Sequence, residues 1–235
     1  MFTLLLTALL TVFLLPPMAQ DPAYHLFADR RGRFGIPHFL NIATNIGFLA
    51  VGLAGTVLCA AQKNLGARWA WMTCFMGITL VCFGSAYYHL APDNETLVWD
   101  RLPMSVGFMA LTVAVLADYV NPRLEKVLLA PAIVIGMASV LYWHTTDDLR
   151  LYLLVQFLPL SMIPVVLLLY KTRSKERDYL FTALAIYFLA KLSEHYDQAI
   201  FNLAGNIISG HSLKHLLAAT ALLAIYLMLR RRTIQ

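Results

Sequence analysis

Apolar runs of about twenty residues with almost no charge recur along this 235-residue chain, and they constrain its fold more than any other feature. A helix rises about 1.5 Å per residue, so a run of that length matches the roughly 30 Å hydrocarbon layer of a bilayer. Backbone amides cannot be left unpaired in lipid, which restricts such segments to helices or closed barrels. Runs this long and this uniformly apolar favour helices. Composition agrees: 60% of residues are apolar and only 13% charged, against about a quarter in soluble domains. An ordinary soluble domain, intrinsic disorder and nucleic-acid binding are all disfavoured.

The runs lie near 2–19, 38–60, 68–90, 102–120, 127–144, 151–170, 178–197 and 210–229. Breakers separate them at Pro92 to Glu95, Asn121 to Pro122, Thr145 to Asp148 and Asn202 to Gly210. The expected fold is therefore an all-α polytopic membrane protein. It comprises a seven-helix transmembrane bundle over residues 20–235 and an additional N-terminal hydrophobic helix over 1–19. A signal peptide is the alternative for that first run, but it has no basic residue ahead of its apolar stretch, and Pro17 suits a cleavage site poorly. No linker or repeat divides the remainder.

Lysine and arginine are spread unevenly. Eleven of the eighteen fall in the loops after runs two, four and six or in the C-terminal tail, five fall in the other loops, and Lys191 and Lys214 lie within runs. The excess of basic residues places both termini in the cytoplasm. Cys59, Cys74 and Cys82 sit inside apolar runs without metal-binding spacing and read as small buried residues.

Ionisable groups inside a bilayer are expensive and mark function by default. Here they gather at one depth. Ser85 and His89 end run three, Asp100 precedes run four, and Lys191, Glu194, His195 and Asp197 end run seven. His211 and His215 begin run eight, and His38, Asn41 and Asn45 begin run two. This predicts one polar pocket open toward the outer face. Bland roles compete: interface aromatics for His38 and His144, interhelical glue for Asn41 and Asn45, an internal ion pair for Lys191 with Glu194, a core imidazole for His195, and helix capping for Asp100.

His211 and His215 are spaced i, i+4, so both imidazoles project from one helical face and can chelate one ion. His89, at the same depth on another helix, completes three imidazoles, the donor set of an open zinc site of the catalytic type. Ser85 precedes His89 by one turn and shares its face. Zinc-bound imidazoles usually donate their second N–H to a carboxylate or carbonyl; Asp197 or Glu194, with Asn41 and Asn45, are the candidates for supporting the ligands, against a purely structural Lys191–Glu194 pair with Asp197 at the helix end facing water.

Ser85-x-x-x-His89, a single Asp100 and His211-x-x-x-His215 resemble the alkaline ceramidase family, within the wider group of membrane hydrolases and receptors called CREST. Asn41-Ile-Ala-Thr-Asn45, Gly84-Ser85, Asp100-Arg101-Leu102-Pro103-Met104 and His215-Leu216-Leu217 extend the similarity over about residues 37–229. The resemblance implies zinc held by His89, His211 and His215, with Asp100 as the base that takes a proton from the attacking water. Ser85 is implied to stabilise the developing oxyanion. The implied reaction is hydrolysis of a ceramide-like lipid amide, drawn from the bilayer, to a fatty acid and a long-chain amine. No protein partner is implied. Eukaryotic members carry an acidic calcium-binding stretch before the helix with the two asparagines. This chain has His38 at the corresponding carboxylate position, and Asp21 and Asp29 beside Arg30, Arg31 and Arg33 make a poor calcium site. The rival reading is a non-enzymatic, receptor-like membrane protein with a structural metal. Haem is disfavoured because its axial ligands must oppose each other, and a transporter because repeat symmetry is lacking.

Overall fold

The computed structural model describes residues 14–170 and 174–234, so most of the first apolar run lies outside the described residues. The main helices are α1 (Phe39–Ala61, stepped at Thr44 and Asn45), α2 (Arg68–Leu90), α3 (Asn94–Tyr119), α4 (Arg123–Thr146) and α5 (Arg150–Leu169). They continue with α6 (Ser174–His195), the short α7 (Asp197–Leu203) and α8 (Gly210–Arg232). No strand occurs among the described residues.

Six of these helices, α1 to α5 and α8, are long and apolar enough to cross a membrane, and the protein is a multi-pass membrane protein. α6 has 22 residues, but Lys175, Glu176, Arg177 and Asp178 at one end and Lys191 with Glu194 at the other leave only a short charge-free middle.

α3 is the most enclosed and packs against α2, α4 and α5, while α8 packs against α6 and α1 and closes the ring. α5 and α6 touch along little of their length. The core of the bundle fills with Trp71, Phe75, Leu180, Met228 and Leu229, all essentially inaccessible.

α3 begins about two turns earlier than the apolar pattern implied. Asp93 caps it, accepting from the Thr96 amide at 2.7 Å, while the Thr96 hydroxyl accepts from the Asp93 amide at 3.2 Å. These Thr96 bonds hold the Asp93 carboxyl below the usual carboxylate range. Asp100 is therefore not the cap. It lies two turns inside α3, buried, and is free for another role.

Residues 18–38 lie across one end of the bundle. The Met18 carbonyl accepts from the Leu149 amide at 2.8 Å, the Gln20 amide donates to Asp147 at 3.0 Å, and the Ala28 amide donates to Asp197 at 2.8 Å. Phe27 is buried beneath this segment. Met18, Gln20 and Tyr24 of this N-terminal segment line the polar end of the pocket.

Candidate metal centre

His89, from the last turn of α2, meets His211 and His215, from the first turns of α8. One nitrogen of each ring lies within 4.8 Å of the others, and all three are buried. The Nε2 atoms of His89 and His211 are 3.3 Å apart. Two ring nitrogens at that distance need a proton or a cation between them. His215 is oriented by Thr44, whose Oγ1 lies 3.0 Å from His215 Nδ1. The Thr44 hydroxyl proton goes to the Leu40 carbonyl at 2.7 Å, so Oγ1 accepts from Nδ1–H and leaves the His215 Nε2 lone pair for a metal. The donor set of three convergent imidazoles thus fits a transition-metal ion.

Backbone approach makes the cluster possible. Pro103 in α3 has no amide to pair with the Trp99 carbonyl four residues back. That carbonyl faces Gly84 of α2, where a Cβ would collide with it. The contact draws α2 and α3 together and brings Ser85 beside the Asp100 carboxylate, both on the cavity wall. Gly210 does the same at the start of α8, where a Cβ would strike the Ser193 carbonyl and Asp197.

The site lies at the closed, polar end of a cavity of about 340 Å³. Ser85, Asp100, Arg101, Glu194, Lys214 and His215 line that end. Farther along the same helices the lining turns apolar, with Cys74, Leu111, Ile163, Leu180 and Ile225. From Asp100 to Leu111 along α3 the shaft extends about 16 Å at 1.5 Å per residue.

Glu194 accepts from Lys214 at 2.8 Å, from the Tyr24 hydroxyl at 3.3 Å, and from Lys191. Burial, together with Glu194, raises the Tyr24 phenol well above its ordinary range, so it remains a neutral donor. Lys214 Nζ also lies 3.1 Å from His211 Nε2, the nitrogen that faces His89, so lysine and a metal ion compete for one lone pair.

The ceramidase family model matches residues 35–234. The chain belongs to the ceramidase family. The match covers the bundle and every histidine of the cluster, and it implies a hydrolase acting on lipid amides. No curated protein matches the chain.

Within this ceramidase-family bundle, several expected roles change. Neither Glu194 nor Asp197 accepts from an imidazole. Glu194 is occupied by two lysines and Tyr24, whereas Asp197 accepts the His211 amide at 2.7 Å and the Ala28 amide, joining α8 to the N-terminal segment. Thr44 carries the supporting role, and no spacing rule singles it out, because it depends on the step in α1. Asn41 accepts from the Ser212 hydroxyl at 2.6 Å and ties α1 to α8 one residue from His211. The Asn45 amide group donates to the Asn41 carbonyl at 2.8 Å. His195 is exposed rather than a core imidazole. His38, expected at the interface, bonds the His89 carbonyl through Nδ1 at 2.9 Å. Lys214, a charge within an apolar run between the two histidines, joins the site, and so do Tyr24 and Phe27, which carry no signal in their local sequence. The Phe27 ring lies 4.7 Å from His89 and 4.5 Å from His211, edge on, and shields both.

Proposed function

We propose that the protein is a zinc-dependent membrane amidase that hydrolyses a ceramide-like lipid amide to a fatty acid and a long-chain amine. One observation carries this reading: a three-histidine cluster and a buried Asp100–Ser85 pair share the polar end of an otherwise apolar cavity. A lipid amide has the same division of polarity. Its acyl chain suits the shaft between Asp100 and Leu111, and the sparse packing of α5 against α6 offers a side entrance from hydrocarbon.

His89, His211 and His215 would hold the zinc. When bound, zinc supplies Lewis acidity toward the amide carbonyl and lowers the pKa of water. Asp100 would take a proton from the attacking water and pass it to the leaving nitrogen. Ser85 lies beside the Asp100 carboxylate on the cavity wall. Turned toward the substrate, its hydroxyl can donate to the developing oxyanion, an effect of about 2.7–4 kcal/mol for a preorganised donor. Phe27 and the half-buried Tyr24 keep bulk water from the cluster.

We also read α6 as a seventh span. Two charges that would otherwise face the bundle unmet are paired there, Lys191 with Glu194 and Glu176 with Arg232, and Lys175, Arg177 and Asp178 lie exposed at its start. Lys63, Arg68, Arg123, Lys126, Arg177 and Arg230 crowd the end opposite the site, which supports a cytoplasmic C-terminus and an outward-facing centre. Asp29 is already paired with Arg31 at 2.7 Å, which argues against calcium there.

Metal analysis of purified protein combined with a product assay on a panel of lipid amides tests the proposal. One zinc per chain and release of fatty acid are expected. Stoichiometric metal without hydrolysis of any lipid amide would favour the receptor-like alternative.

A further inference from the structure

Among the described residues three basic side chains, Arg101, Lys191 and Lys214, line the cavity, and they are placed differently. Arg101 is held against the Trp143 ring, 4.0 Å from its centroid, and donates Nη2 to Gln20 Oε1 at 2.6 Å. Lys191 pairs with Glu194. Lys214 alone of the three reaches a histidine. It follows His211 by three residues on α8 and so shares its face. Its Nζ lies 3.1 Å from His211 Nε2 and 2.8 Å from Glu194 Oε1.

An ammonium group carries three donors and no acceptor, so its bond to His211 Nε2 uses the lone pair of that nitrogen. A metal shared with His89 needs the same lone pair, because the Nε2 atoms of the two rings face each other at 3.3 Å. The ammonium and a metal ion exclude each other at this point, and two cations this close repel strongly where water is scarce. Glu194, on α6, gives the lysine somewhere else to go. Its Oε1 accepts from Lys214 and from the Tyr24 hydroxyl at 3.3 Å, and its Oε2 accepts from Lys191. The carboxylate is thereby fixed from three sides, and Lys214 can give up His211 while keeping its ion pair.

We propose that Lys214 and Glu194 act as a pair that sets the metal affinity of the three-histidine centre: the lysine weakens binding by competing for the His211 lone pair, and the glutamate relieves that competition by drawing the ammonium to itself. This rests on the reading of His89, His211 and His215 as metal ligands and deepens it. Glu194 then supports the ligands through a lysine, without accepting from an imidazole. The sign of the effect separates this role from a structural one. Removing a lysine that only ties α8 to α6 loosens the site and weakens metal binding, whereas removing a competitor strengthens it.

Zinc affinity of the purified full chain in detergent, read by competition with a chelator, tests this. Lys214→Met should bind zinc about 10- to 100-fold more tightly than the parent, the range of a charge-assisted hydrogen bond. Lys214→Arg, which keeps the charge and the donors, should stay near the parent. Glu194→Gln should weaken binding, and in the Lys214→Met background the same change should shift affinity by less than about threefold, because the glutamate acts through the lysine. Unchanged or weaker binding in Lys214→Met overturns the proposal, and so does a Glu194→Gln effect of equal size in both backgrounds. Lys191 and Tyr24 still serve Glu194 when Lys214 is replaced, and Lys214→Gln, which can still bond the carboxylate, repeats the test should the Met variant not fold. Amide cleavage is scored separately. These affinity shifts without cleavage would sink the amidase reading and leave the Lys214–Glu194 pair standing, cleavage without the shifts would do the reverse, and a parent chain that binds no zinc would sink both.

Discussion

Both ends of this bundle bury polar side chains, yet they treat them in opposite ways. At the end away from the histidines, Arg232 of α8 donates to Asp118 of α3 at 2.6 Å, to Glu176 of α6 at 2.9 and 3.0 Å, and to the Tyr119 hydroxyl at 3.1 Å. Asp118 also accepts the Trp71 indole and the Ala67 amide, each at 2.8 Å. That network is closed. At the histidine end, Asn41 Nδ2, Asn45 Oδ1, His89 Nδ1, Arg101 Nη1 and Trp143 Nε1 are buried without partners. Among the described residues every such orphan belongs to this end. An unmet buried donor or acceptor normally costs about 1–3 kcal/mol, so five together mark a place organised for something other than stability. Satisfied networks hold the helices, and incomplete ones await a ligand.

Substitutions at each end should therefore fail differently. The largest effect is expected from His89→Ala, His211→Ala or His215→Ala, each of which should release the metal and abolish turnover, with metal content read by elemental analysis. Asp100→Asn should keep the metal and lower turnover by about 10²- to 10⁴-fold. If it released zinc as readily as His215→Ala, Asp100 would be a ligand, and the proton-transfer role would pass elsewhere.

At the closed end, Arg232→Met or Asp118→Asn leaves a buried charge without its partner and should destabilise the fold by about 3–5 kcal/mol. Thermal unfolding measures this. Metal content per folded molecule should not change, and a loss of zinc in these variants would erase the distinction between the two ends.

A smaller effect is expected from Thr44→Val, which keeps the shape but removes the acceptor of His215 Nδ1–H. Metal affinity should fall about 10- to 100-fold, as for other groups that orient a ligand, with the fold intact. Chelator competition reads it. Unchanged affinity would mean that Thr44 does not orient the ring.

The smallest effect concerns the N-terminal segment. Although burial raises the Asp29 carboxyl, hydrogen bonds from the Arg31 side chain and amide outweigh it and hold the pKa below the ordinary carboxylate value. A depressed pKa stabilises the folded segment above the unfolded value, and this contribution is lost as pH falls through the folded value. Hydrogen exchange in residues 20–33 should accelerate below about pH 4, and Asp29→Asn should remove that dependence.

Periodicity and spacing made the outline of this protein legible before any coordinates. Long apolar runs have one economical solution in lipid, so helices α1 to α5 and α8 follow from hydropathy. The i, i+4 pair His211 and His215 must share a helical face whatever surrounds it, and family membership bears out the resemblance drawn from Ser85, His89, Asp100 and the two asparagines. Local sequence does not encode which distant groups meet. Asp197 and Glu194 have the right chemistry and depth to support an imidazole, but packing gave one to the His211 amide and the other to Lys191, Lys214 and Tyr24. Thr44 took the role because a step in α1 turns its hydroxyl toward His215. The same holds for the fold of residues 18–38 over the site and for the stack of Arg101 on Trp143. Secondary structure is set by neighbours a turn apart, whereas hydrogen-bond partners are chosen by helix packing, and only the assembled bundle decides them.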